Sequence, residues 1–111
     1  MAKASHVYSR RTLQAAALLG LQVKQARVAR SWSVRELAER VGASPPTITK
    51  VERGDPTVGL GIALEAAVIL GVPLLTEEPS RLAPELQRQR ALVQLLPQRV
   101  HSAKDAVDDD F

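Results

Sequence analysis

The 111-residue chain contains no cysteine, one methionine and three aromatic residues, Tyr8, Trp32 and Phe111. Without cysteine there is no disulfide framework, no thiol nucleophile and no thiolate metal site. Its two histidines, His6 and His101, stand near opposite ends, which argues against a histidine-based catalytic dyad or zinc site. Three scattered aromatics do not make a platform for stacking single-stranded bases. Carboxylates occur, but no phosphate-binding glycine loop accompanies them. The sequence therefore reads as a non-enzyme that needs no cofactor and no metal. Strand-type alternation is missing as well. Alanine and leucine dominate an apolar content of 45%, too high for a wholly disordered chain. An all-α fold of four to five short helices is expected.

What is present is unevenly charged. The chain is formally +3, but residues 1–54 hold ten basic and three acidic residues, whereas residues 55–111 hold five basic and nine acidic ones. A basic front half and an acidic back half point to two surfaces with different partners.

Two segments imitate targeting signals. Arg10-Arg11 followed by Ala15 to Leu19 looks like an export signal, but Gln14 and Gln22 bracket the apolar run and Lys24, Arg27 and Arg30 follow it. Val58 to Leu75 approaches the length of a membrane span, yet Gly59, Gly61, Gly71 and Pro73 punctuate it and Glu65 stands inside it. A basic arm entering a helix and a buried helix are the better readings, and a cytoplasmic location is expected.

Punctuation divides the rest into helices. The first is expected over about residues 13–30, with Ser9 as a candidate cap. Ser33-Val-Arg-Glu36 has the form of a capping box, and it starts a helix from Val34 to about Val41 that Gly42 stops. Ser44 caps a third helix, Pro45 suits its first position, and Gly54-Asp55-Pro56 ends it. A fourth is expected over about Leu60 to Leu70, with Leu60, Ala63, Leu64, Ala67 and Leu70 as its inner stripe. A weaker fifth is expected from Pro84 to Leu96. There Leu82, Leu86, Val93 and Leu96 keep a helical period that Gln89 breaks.

The pair of short helices over 34–53, joined at Gly42-Ala43, has the size of a helix-turn-helix. Ala38 is small where the second helix must pack closely. Ile48 and Val51 face inward, and Ser44, Thr47 and Lys50 offer a polar face toward bases.

Residues 19–72 resemble the Xre/Cro family of helix-turn-helix repressors. The resemblance rests on Leu-Gly-x-x-Val-Lys-x-x-Arg over 19–27, Trp-Ser-Val-Arg-Glu-Leu-Ala over 32–38, Val-Gly-Ala-Ser-Pro-Pro-Thr-Ile over 41–48 and Val-Glu-Arg-Gly over 51–54. It implies a lambda-repressor-like fold and a bacterial, nucleoid-associated protein. The third helix would enter the major groove of double-stranded DNA. Pro45, Pro46 and Lys50 would stand where the family reads base edges, with Ser44, Thr47, Thr49 and Arg53 at bases or phosphates. Ser33, Val34 and Arg35 would meet phosphate at the start of the second helix. Arg27 would join this set near the backbone and form an ion pair with Glu52. One departure stands out. Pro45-Pro46 replaces polar residues, and proline offers no side-chain donor for a bidentate base contact. It can press on a thymine methyl or simply fix the start of the helix, leaving direct readout to Thr47, Thr49 and Lys50.

The fourth helix is apolar on most sides, so a second layer must cover it. Val58, Ile62, Val68, Ile69, Val72, Leu74 and Leu75 are the expected homodimer seam, with a larger intrachain core using the 84–96 helix as the alternative. The expected organisation is a flexible basic arm over 1–12, the DNA-binding domain over 13–75, a helical extension over 76–98 and a disordered acidic tail over 99–111. The layout also resembles that of antitoxins paired with HipA-like kinase toxins. That resemblance implies a repressor that autoregulates its own operon and binds its toxin. A stand-alone phage- or host-type regulator and a helical protein-interaction adaptor remain open alternatives.

Overall fold

The computed structural model describes residues 6–76 and 78–97. Within them the chain is all-helical: α1 (Arg10–Ala29), α2 (Val34–Val41), α3 (Pro45–Glu52), α4 (Leu60–Ile69), a 3-10 turn (Pro79–Arg81) and α5 (Leu82–Gln94). Two compact units divide between residues 77 and 78. The first holds α1 to α4 and the second holds α5. The whole of the expected acidic tail, and the first five residues of the expected arm, lie outside the described residues.

The first three helices each start at a serine. Ser9, Ser33 and Ser44 each accept a hydrogen bond from the backbone N–H three residues later, at Thr12, Glu36 and Thr47. A short side-chain oxygen satisfies one of the donors that every helix leaves unpaired at its N-terminus. The Ser9 cap starts α1 at Arg10, so the last three residues of the expected arm are helical.

Helix ends close in a shared way. After α1, Trp32 N–H donates to Arg27 O at 3.2 Å and Ser31 N–H to Val28 O at 2.9 Å. The same pair of bonds follows α3 through Asp55 and Gly54, and α4 through Val72 and Gly71. This Schellman closure needs a residue at positive φ. Gly42 takes that conformation after α2, and Gly54 and Gly71 take it after α3 and α4, whereas Ser31, at φ 60°, is the one non-glycine residue to do so among the described residues.

The core of the first unit is Val23 from α1, Leu37 and Ala38 from α2, Ile48 and Val51 from α3, and Ala66, Ala67 and Leu70 from α4, joined by Val72. Burying these aliphatics supplies the main driving force for packing α1 to α4 together. Gly20 lets α1 and α3 cross. A Cβ there would collide with the carbonyl oxygen of Val51 and stand 2.6 Å from that of Glu52.

The inner face of α4 keeps Ala67 and Leu70 of the expected stripe but loses Leu60 and gains Ala66. Leu60 is 73% exposed, while Ala66 is buried. A helix apolar around its circumference carries no hydrophobic phase to read, so its rotation is set by fit, and the paired alanines offer the flattest face. The residues expected at the seam differ in their placement within the chain. Val72 belongs to the domain's own core, and Val58, Ile62, Ile69 and Leu74 pack partly against it. Val68 and Leu75 are exposed, at 58% and 92%.

Candidate nucleic-acid interface

The third helix is placed by two means. Ile48 and Val51 anchor its inner side in the core. At its far end Glu52 holds Arg27 of α1 through two bonds, Arg27 Nε to Glu52 Oε2 at 2.6 Å and Arg27 Nη2 to Glu52 Oε1 at 3.1 Å. A third bond runs from Arg27 Nη1 to the carbonyl of Trp32 at 2.8 Å. Both side chains are largely buried, at 12% and 7% exposure, and a bidentate pair in that setting is directional as well as strong. The hydrogen bond to Glu52 holds the Arg27 guanidinium above the ordinary arginine value. Arg27 therefore ties together α1, the turn before α2 and the end of α3.

The opposite side of α3 carries the expected reading face. Ser44, Pro45, Pro46, Lys50 and Arg53 are exposed, and Thr47 and Thr49 are half-buried. Several hydroxyls already have partners. Ser44 Oγ and Thr47 Oγ1 lie 2.8 Å apart, and Thr49 Oγ1 donates to the carbonyl of Pro45 at 3.2 Å. That back-bond turns the Thr49 hydroxyl toward its own helix. Lys50 is left as the long cationic side chain at the middle of the face, with Arg53 beyond it. Asp55 closes the loop that follows, accepting from Thr57 N–H at 2.8 Å and Thr57 Oγ1 at 2.6 Å. These two bonds pull its carboxyl below the ordinary value.

The start of α2 is built as its capping-box sequence predicts. The capping box is complete: Ser33 Oγ accepts from Glu36 N–H at 3.1 Å, and Glu36 Oε1 accepts from Ser33 N–H at 3.0 Å. Those bonds lower the Glu36 pKa, so its carboxylate sits charged at the helix end that would attract an anion. Val34 packs partly against the core. Arg35 is the exposed cation there.

Two basic residues outside the expected set come to light. Trp32 is half-buried, with the guanidinium carbon of Arg40 4.0 Å from its ring centroid and that of Arg30 at 5.6 Å. Cation–π contact fixes these arginines beside the helix pair. No spacing in the sequence announces a grouping drawn from α1, a turn and α2.

Among the described residues no cluster of histidine, cysteine or carboxylate side chains could hold a metal ion, and no helix is long and apolar enough to cross a membrane. The family model for a helix-turn-helix domain matches residues 18–78, more than half of the chain. No curated protein and no solved structure is matched.

Proposed function

The chain belongs to this family of helix-turn-helix domains, and from that premise we propose that it is a sequence-specific repressor that binds double-stranded DNA as a dimer on a palindromic operator. One observation carries the reading. The third helix is locked from behind by Ile48, Val51 and the Arg27–Glu52 pair, and it presents Pro45, Pro46 and Lys50 outward. A rigidly held helix with an exposed N-terminal face suits docking in the major groove.

Roles divide accordingly. Lys50 reads a base edge, and Thr47 supports it. Pro45 and Pro46 supply shape and apolar contact, so part of the preference comes from groove geometry. Arg35, Ser44 and Arg53 position the domain on phosphates. Ser33, Val34 and Thr49 contribute mainly through their placement of the two helices. Arg27 acts through Glu52, as a positioning residue. A two-fold dimer would double the site, with the exposed Val68 and Leu75 as part of the contact. The antitoxin role, with a HipA-like kinase toxin bound to the same dimer, is supported by resemblance of layout alone: the basic arm, the sequence over 51–58 and the C-terminal segment.

Selection of bound duplexes from a randomised pool tests this reading. The full chain should enrich a palindrome with half-sites about one helical turn apart. Lys50→Ala should lose about 1–3 kcal/mol on that duplex and relax one position in each half-site. An equal loss on every sequence reduces Lys50 to a phosphate contact, and failure to enrich any sequence overturns the reading. Purification of the native complex with its DNA checks the antitoxin role, through recovery of its own promoter together with a kinase-like protein.

A further inference from the structure

The second unit contains a helix with no interior. No residue of α5 is buried. Leu82, Leu86, Leu92 and Val93 are 43–60% exposed, and Leu96 beyond the helix end is 62% exposed. Leu96 still continues the turn, donating its N–H to Val93 O at 3.0 Å. A helix of this length is marginal in water without tertiary cover.

Its exposed residues are ordered. Leu82, Leu86, Gln89, Val93 and Leu96 recur at spacings of four, three, four and three. That is a heptad seam, with leucine at two of the three d positions, leucine and valine at a, and a glutamine in the central d layer. The flanking positions are charged in a complementary way. Glu85 falls at g, and Arg90 falls at the e position of the following heptad. In two parallel helices, g of one copy faces that e of the other, so each Glu85 meets Arg90 of the second copy. In an antiparallel pair g would face g and e would face e, so Glu85 and Arg90 would not meet. In the single chain Glu85 is held by Arg88 at 2.7 Å and by Gln89 at 2.8 Å. The Gln89 amide, freed from that bond, would face its counterpart in the central layer, and a buried polar layer of this kind fixes register.

We propose that α5 is a self-association element, a short parallel coiled coil formed with a second copy of this chain and aligned by Glu85–Arg90 pairs and the Gln89 layer. This goes beyond DNA binding and does not depend on it, because the seam forms without an operator.

Sedimentation equilibrium of the full chain, without DNA, tests the proposal. Replacing Leu86→Asp together with Val93→Asp should raise the dimer dissociation constant about a hundredfold, since charge would enter the seam. Glu85→Arg alone and Arg90→Glu alone should each weaken association about threefold, and the double reversal should restore it. Residues 85 and 90 cannot meet on one helix, so restoration reports an interhelical pair. The chain has no cysteine, so Leu86→Cys gives a single thiol, and its oxidation should yield a disulfide-linked dimer if the helices are parallel. Unchanged association in the Leu86/Val93 variant overturns the proposal, as does a chain that stays monomeric throughout. Failure of the double reversal to restore binding, or of the thiols to cross-link, overturns the parallel alignment. Loss of association in Val68→Asp, with the seam variant unaffected, would assign the contact to α4 and overturn it equally.

Discussion

Compare α3 with α5. The first has 8 residues and the second 13, yet the shorter helix is the better determined. Ser44 caps α3, Pro45 presets its first turn, Gly54 closes it, and two of its aliphatics are buried. α5 has no side-chain cap and buries nothing. Length adds little when a helix lacks a face to cover, because most helical stability in proteins comes from tertiary packing. The first unit holds α3 in one orientation, while the apolar side of α5 stays exposed.

Truncation at matched leucines should expose this contrast most strongly. Leu37→Ala in the core should cost about 3 kcal/mol, whereas Leu86→Ala on α5 should leave unfolding of the first unit within about 0.5 kcal/mol of the parent. Chemical denaturation followed by Trp32 fluorescence measures both, and similar losses would erase the distinction between the units.

The crossing of α1 on α3 gives the next largest effect. Gly20→Ala places a methyl group against the carbonyls of Val51 and Glu52, and a stability loss of about 3 kcal/mol is expected by the same measurement. Breaking the tie behind α3 should follow, with Glu52→Gln costing about 2 kcal/mol because the largely buried Arg27 loses its charged partner. Its operator affinity should fall although Glu52 faces away from the reading face, which gel-shift titration would check.

A smaller change of opposite sign is expected at the end of α1. Ser31 holds a left-handed conformation that costs an L-residue free energy, so Ser31→Gly should stabilise the domain by about 0.5–1 kcal/mol. A melting temperature that stays level or falls would show that the serine side chain repays its strain. The pH response is the mildest test. Glu36 has a folded pKa below its ordinary 4.5, so its contribution is fully present above that value and is lost as pH falls through the lowered one. Thermal unfolding of the first unit should weaken in that acid range, and Glu36→Gln should flatten the loss.

Much of the first unit was legible because its signals are local. Ser33 with Glu36, Ser44 with Pro45, and Gly42 act within three residues of where they stand, so their chemistry is complete in the sequence. The family resemblance extended that reach to the Arg27–Glu52 pair, whose partners are 25 residues apart. Other features carry no local mark. Ser31 replaces the glycine that such a closure favours, and Trp32 gathers Arg30 and Arg40 only after α1 and α2 have docked. Of the residues expected around the α4 seam, Val72 packs into the domain's own core, a destination that its spacing does not announce.

The sequence by itself determined that the fold is helical, the bounds of α2, α3 and α4 to within about a residue, and which two short helices form the helix-turn-helix. These follow from caps, closures and the spacing of apolar residues along one chain. Only the tertiary structure decided how α4 is rotated, why Gly20 must be glycine, and that α5 has no cover of its own. Each of these depends on volumes meeting across the core, and a side chain's neighbours there come from distant parts of the chain.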